Sequence, residues 1–184
     1  MKVITFSEKF PAYHPQAGEK TFFAEKIWKG LPIEGEYTIW SKYPRLMKSG
    51  EWQVPHLWRD MMLDKKFTPK YHTIRAGQRW KAGDWFSPRV WSAKPYASKQ
   101  IEFAPQLQIK KTFGFEMHPF LWFDECEYFI NGKRYGGDEL TEVAKNDGLG
   151  IMDFACWFAG PNAASTKRKS FVGQIICWDE SINY

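Results

Sequence analysis

Apolar side chains open the chain as a short run, Val3, Ile4 and Phe6, which predicts a strand over residues 2 to 6. A loop marked by Pro11, Pro15 and Gly18 follows. Phe23, Ile27 and Trp28 then fall on one helical face, predicting a helix over residues 19 to 30 that stops at Gly30. Residues 31 to 68 hold no sustained period. Their aromatic content argues for an ordered insertion, with a short helix over His56 to Leu63. Strand-like patterning returns in Asp84 to Trp91, Ser98 to Phe103 and Leu107 to Phe115. Leu121 to Ile130 leads into Asn131-Gly132, the strongest hairpin signal in the chain. Asp138 to Asp147 and Gly150 to Phe158 read as two short helices joined at Gly148, with Asp138 as N-cap. Phe171 to Trp178 reads as a closing strand.

Strands outnumber helices and come in consecutive runs, which predicts an α+β fold built on a largely antiparallel sheet or barrel. With 184 residues, no repeat and no linker, one domain over residues 1 to 184 is expected.

Composition changes this picture in two places. Aromatic residues make up 18% of the chain, including 10 Trp, enough for an aromatic core and for some rings to serve as a stacking surface for bases or sugars. A net charge of +5, from 26 Lys and Arg against 21 Asp and Glu, suits a polyanionic partner without the density of a DNA-coating protein. Lys167-Arg168-Lys169 reads as a solvated loop. Cys126, Cys156 and Cys177 are widely spaced in apolar runs, which predicts reduced thiols rather than a zinc cluster or disulfide framework. Without a signal-like N-terminus or a membrane-length apolar run, a soluble cytoplasmic protein is expected, with no metal and no cofactor.

Chemistry concentrates in Pro69 to Trp85. There Lys70, His72, Thr73 and Arg75 lie within six residues, ahead of Arg79, Trp80, Lys81 and a Gly83-Asp84 turn. A hydroxyl between an amine and a guanidinium suits activation of a weak nucleophile or capture of an anion. In a regular strand Tyr71, Thr73 and Arg75 share one face, so Lys70 reaches Thr73 only if it precedes the strand, which Pro69 favours. Lys70, Arg75, Arg79 and Lys81 could meet phosphate while Tyr71, Trp80 or Trp85 stacks a base, and Trp80 equally fits a barrel-edge ring packing on the core. An ordinary strand threonine among solvated charges fits the same residues. His72 joins the ligand-contact candidates. It reads as a hydrogen-bonded strand histidine before a metal ligand, since no second His or Cys lies at metal spacing, and His14, His56 and His118 are isolated.

Lys70-x-x-Thr73-x-Arg75 followed by Gly83-Asp84 resembles the central motif of ASCH domains, a branch of the PUA-like β-barrel superfamily. Ile27-Trp28-Lys29-Gly30 is similar to the end of the family's N-terminal helix, which normally runs almost directly into the Lys. Ala144 to Leu149 with Asp153-Phe154, and Phe171 to Ile176, resemble its late helical segment and closing strand. The resemblance implies a mostly antiparallel PUA-like barrel with flanking helices, here carrying insertions at about 31 to 68 and 114 to 136. It implies binding of RNA or a modified nucleoside in a cleft formed by Lys70, Thr73, Arg75 and Asp147. One subfamily, the acetylcytidine amidohydrolases, is taken to hydrolyse an amide with a Lys, a Thr and a Glu. By motif these are Lys70 as base, Thr73 as nucleophile and Asp147, one methylene shorter than Glu. A protein-binding adaptor with a disused cleft is the remaining reading.

Overall fold

The computed structural model of the protein describes residues 2–31, 68–119, 126–160 and 169–184. The expected helix at 56 to 63, most of the first insertion, the start of the 121 to 130 run and most of the basic run at 167 to 169 lie outside these residues. The described residues form nine strands and three helices in order. They are β1 (Lys2–Thr5), α1 (Phe23–Lys29), β2 (His72–Ala76), β3 (Trp85–Trp91), β4 (Gln100–Glu102), β5 (Leu107–Gln108), β6 (Lys111–His118), β7 (Glu127–Ile130), β8 (Lys133–Tyr135), α2 (Gly137–Asn146), α3 (Ile151–Ala159) and β9 (Phe171–Cys177).

The fold is α+β with mostly antiparallel strands. One sheet centres on β3, which pairs with β1 in parallel and with β4 and β5 antiparallel. The other has the order β2-β9-β6-β7-β8, every pair antiparallel. Leu107 to Phe115, expected as one strand, is divided. Leu107–Gln108 pairs with β3, Ile109 is fully buried at the corner, and Lys110 donates to the Cys177 carbonyl as β6 joins the other sheet. Among the described residues the two sheets meet at such corners without hydrogen-bonded closure, so no closed barrel is formed there.

Local sequence explains most elements. In β9 the residues from Gly173 to Cys177 are all buried, as befits a strand flanked on both edges and covered on both faces. In β6, by contrast, Phe113, Phe115 and Met117 alternate inward. Asn131 (φ 50°) and Gly132 (φ 79°) turn β7 into β8, a two-residue hairpin in which both residues need positive φ. Residues 114 to 136 thus supply the end of β6 and the two outermost strands.

Two boundaries moved. Residues 19 to 22 precede α1 rather than belong to it, because Lys20 bridges to Lys9 and Thr21 bonds back to Glu8 and Ser7. Asp138 is not the N-cap of α2. Gly136 occupies that position without a side-chain cap, and Asp138 sits in the first turn, where a carboxylate complements the helix dipole.

The aromatic residues mostly build the core. Phe6, Phe103, Phe86 and Trp178 pack edge to face or tilted around one end. Phe115 meets Phe154 and Phe158 of α3 and Phe171 of β9 at the other. Phe115 is fully buried, whereas Trp85 is 53% exposed. Phe115→Ala is therefore expected to lower the free energy of unfolding by about 3–5 kcal/mol. Trp85→Ala is expected to change it by about 0.5 kcal/mol or less. Urea denaturation of both variants measures the contrast.

Candidate functional site

Lys70 lies just before β2, as contact with Thr73 would require, and its backbone is held by two helix ends. Its N–H donates to the Lys26 carbonyl at 2.9 Å, and the next N–H, that of Tyr71, donates to the Asn146 carbonyl at 2.9 Å. A Cβ built on Gly30 would stand 2.8 Å from the Lys70 carbonyl oxygen. Residue 30 and residue 70, separated in sequence by the first insertion, are therefore packed backbone to backbone.

The Lys70 side chain is only 1% exposed, and its amine points at the end of α2. It donates to Asp147 Oδ1 at 2.6 Å and to the Asp147 backbone carbonyl, and lies 4.3 Å from the centroid of the Phe23 ring. Asp147 takes this position because the helix stops there. Gly148 (φ 76°) donates to Lys145 and Leu149 donates to Ala144, the paired bonds of a Schellman ending, with Leu149 buried against α2. A second lysine completes the cap: Lys26 Nζ donates to the Gly148 carbonyl at 2.6 Å. Two cations thus meet successive carbonyls at the negative end of the helix dipole.

The neighbours define the electrostatics. Burial pushes the Lys70 amine down to about 8, against the upward pull of Asp147. Burial pushes Asp147 up, but the Lys70 ammonium beside it holds its carboxyl below the usual carboxylate range. His72 is completely buried, and burial pushes its imidazole down. Its Nε2 lies 3.2 Å from the Val143 carbonyl, an acceptor, which assigns the proton to Nε2. Its Nδ1 then faces Asp147 Oδ1 at 3.5 Å and makes no hydrogen bond.

Thr73 is buried in β2 opposite Ile176, and no hydrogen bond joins its hydroxyl to Lys70, whose donations go to Asp147. Arg75 turns toward the other sheet. Its Nη2 donates to the Thr5 carbonyl at 2.6 Å, its guanidinium carbon lies 5.3 Å from the Phe6 centroid, and its Nε is buried without a partner. Tyr71 is half-buried against Gly30. Arg79 and Lys81 are exposed, and so is Trp85.

Trp80, for which a stacking ring and a ring packing on the core are equally open in the sequence, is a core residue. Its backbone N–H donates to Gln174 Oε1, Gln174 Nε2 returns a bond to its carbonyl, and its ring packs on Phe86 with Arg79 and Lys2 over its face. The structure therefore gathers Lys70, His72 and Asp147 and leaves Arg79, Lys81 and Trp85 on the surface. Sequence reasoning did not single out Lys26 or Phe23. Both sat in the helix pattern, and Lys26 meets its partner 122 positions away.

Among the described residues no group of His, Cys, Asp and Glu is arranged to hold a metal ion, and no helix is long and apolar enough to cross a membrane. Comparison with family models, with curated proteins and with solved structures gave no match in any of the three.

Gly148→Ala would force a side chain into positive φ and press its Cβ, at 3.2 Å, on the Lys26 and Lys70 stems. The expected loss is about 1–3 kcal/mol in thermal or urea unfolding. Lys70 also leaves a signature in pH. The folded protein releases this proton near pH 8, whereas the unfolded chain holds it to about its ordinary 10.5. The unfolded state therefore binds more protons between these values, and stability rises with pH across that window. Asp147 acts at the acid end. Its contribution is present above its ordinary 3.8 and is lost as pH falls through its lower folded value. Denaturation of wild type and Lys70→Met from pH 8 to 10.5 should show the rise in the former and a flatter line in the latter.

Proposed function

We propose that this chain is an ASCH-like domain whose Lys70–Asp147 centre binds a nucleoside-sized ligand, a modified nucleoside or the base of an RNA. The observation that carries the reading is the buried pair itself. A lysine and an aspartate 77 residues apart are both nearly inaccessible to solvent and joined at 2.6 Å, with His72 against the same carboxylate. Buried ion pairs add little net stability compared with apolar packing, so three titratable groups with shifted pKa values in one place support a functional role. The unpartnered polar atoms nearby, His72 Nδ1 and Arg75 Nε, add hydrogen-bonding capacity for a planar, polar ligand. The burial of Lys70 and Trp80 favours a compact ligand over a long strand tracked along its backbone. Arg79 and Lys81 remain as exposed cations for a flanking phosphate.

A second reading, hydrolysis of an N-acylated nucleoside, is favoured by one observation: the Lys70 amine brought down to about 8. Such an amine is neutral in a useful fraction near neutral pH and can act as a general base. In this reading the Thr73 oxygen bonds to the acyl carbon as its proton passes to Lys70. The C–N bond then breaks with that proton delivered to the departing amine, and water releases the acid from Thr73. Since Lys70 bonds Asp147 and not Thr73, its amine must leave Asp147 to serve the hydroxyl, and Asp147 positions it for return.

Calorimetry with acylated and unmodified cytidines, beside mass-spectrometric turnover of the same compounds, tests both. The binding reading expects saturable binding that changes little with salt and weakens at least about tenfold in Asp147→Asn. Turnover reduced by about 100-fold or more in both Lys70→Ala and Thr73→Ala would establish the hydrolase. Binding that is strongly salt-dependent and indifferent to Lys70 and Asp147 substitutions would overturn the assignment of the site. Melting curves identify any variant that has simply unfolded.

A further inference from the structure

The outer face of the sheet centred on β3 carries rings and cations that neither the core nor the Lys70 centre uses. Side chains alternate along β3. Phe86 and Val90 enter the core, which places Trp85, Arg89 and Trp91 on the opposite, outward face. Trp85 is exposed and Trp91 half-buried. At about 3.3 Å per residue the two Trp stand roughly 20 Å apart along one strand.

The connection from β3 to β4 adds a third ring. Tyr96 lies 5.4 Å from Trp91, centroid to centroid, and is 89% exposed. The Ala97 N–H donates to the Lys94 carbonyl at 3.3 Å across a turn with Pro95 second and Tyr96 third, and Tyr96 takes a φ of 62°. That is the position of a type II turn where glycine or asparagine is ordinarily found. The Ser98 hydroxyl fastens the loop from inside, donating to the Lys94 carbonyl and accepting from the Ala93 N–H. The Ser92 N–H closes it by donating to the Lys99 carbonyl at 2.8 Å. A fixed loop thus holds a large ring in water on a backbone conformation that aromatic residues rarely adopt, and such outliers cluster at ligand contacts.

Positive charge gathers on the same stretch. Residues 79 to 102 hold five Lys and Arg against two Asp and Glu, which places +3 of the chain's +5 there. Both acids are already committed, Asp84 to Lys2 at 2.5 Å and Glu102 to Ser87 at 2.8 Å with Arg89 beside it. Arg79, Lys81, Lys94 and Lys99 are exposed and join no ion pair among the described residues. Rings that stack on any base, set among unpaired cations, are what a single strand of nucleic acid requires, whereas a duplex hides its base faces. Gln100 and Glu102 pair with Trp91 and Arg89 and so share the outward face. Their oxygens can accept from the 2′-hydroxyl of ribose, a donor that deoxyribose lacks.

We propose that this face binds single-stranded RNA, with one base on Trp85, another on the Trp91–Tyr96 pair, and phosphates on Lys81, Lys94 and Lys99. The span between the rings corresponds to about six nucleotides at stacked spacing. The platform contains none of Lys70, His72 and Asp147, and it holds whether or not that centre takes a ligand.

Fluorescence anisotropy of a labelled uridine decamer, with the deoxyuridine decamer beside it, tests this on the whole protein. Saturable binding of the ribo-decamer is expected, and a plot of log affinity against log salt should have a slope near −2, about −0.7 for each of three phosphate contacts. Trp85→Ala and Tyr96→Ala should each weaken binding about tenfold, while Tyr96→Phe, which keeps the ring, should not. Replacing Lys94 and Lys99 together by Gln should flatten the slope by about 1.4. The deoxy-decamer should bind at least about threefold more weakly. No saturable binding, affinity indifferent to both ring-removing variants, or equal affinity for the two decamers would each overturn the proposal. Tyr96→Gly removes the same ring and accommodates the positive φ, so it replaces Tyr96→Ala if a melting curve shows that variant unfolded. Calorimetry with free cytidine reads the Lys70 centre separately, so each assignment can fail alone.

Discussion

An ammonium group inside a protein must be surrounded by acceptors, and that requirement at Lys70 ties the molecule together. Its amine needs the Asp147 carboxylate, the Asp147 carbonyl and the face of Phe23 at the same time. These belong to the end of α2 and the start of α1, while Lys70 itself leads into β2. The same residue bonds its backbone to the last turn of α1. Removing one partner leaves an uncompensated buried charge, a loss of about 3–5 kcal/mol. The arrangement therefore holds as a whole, and three segments remote in sequence keep a single relative position.

The helix end gives this contact its geometry. Gly148 reverses the chain in a left-handed conformation, which exposes the carbonyls of Asp147 and Gly148 in succession. Lys70 and Lys26 each take one. Both amines are pushed downward by burial, while Asp147 is held low by the cation beside it. The outcome is a desolvated, asymmetric set of charges. Any polar group entering such a set loses water and must be matched. Arg75, although part of the same motif, stabilises a different contact, joining β2 to the carbonyl at the end of β1.

The described chain breaks off and resumes beside this centre, at residues 31 and 68. Gly30 packs against the Lys70 carbonyl, so the chain departs and returns at one point. Closing a loop there costs an entropy that grows only slowly with its length, which makes a long insertion thermodynamically tolerable at this position. The hairpin of β7 and β8 is accommodated differently, as two strands added at the outer edge of a sheet.

Much of the secondary structure was legible in the sequence because its causes are local. The alternation of Phe113, Phe115 and Met117, the Asn131-Gly132 turn and the apolar run of β9 each set an element within a few residues. The helix end at Asp147 was legible too, because Gly148 follows it. What the sequence could not decide is where polar side chains point once strands from distant segments pair. Arg75 and Lys70 look alike in a motif, yet pairing sends one to Thr5 and the other to Asp147. Trp80, flanked by cations, fits a surface ring and a core ring equally, and it is the Gln174 amide on β9 that draws its backbone into the core. Periodicity by itself determined which residues turn inward. Only the tertiary structure decided which buried polar groups meet, because hydrogen bonds between segments depend on distances that the chain order does not encode.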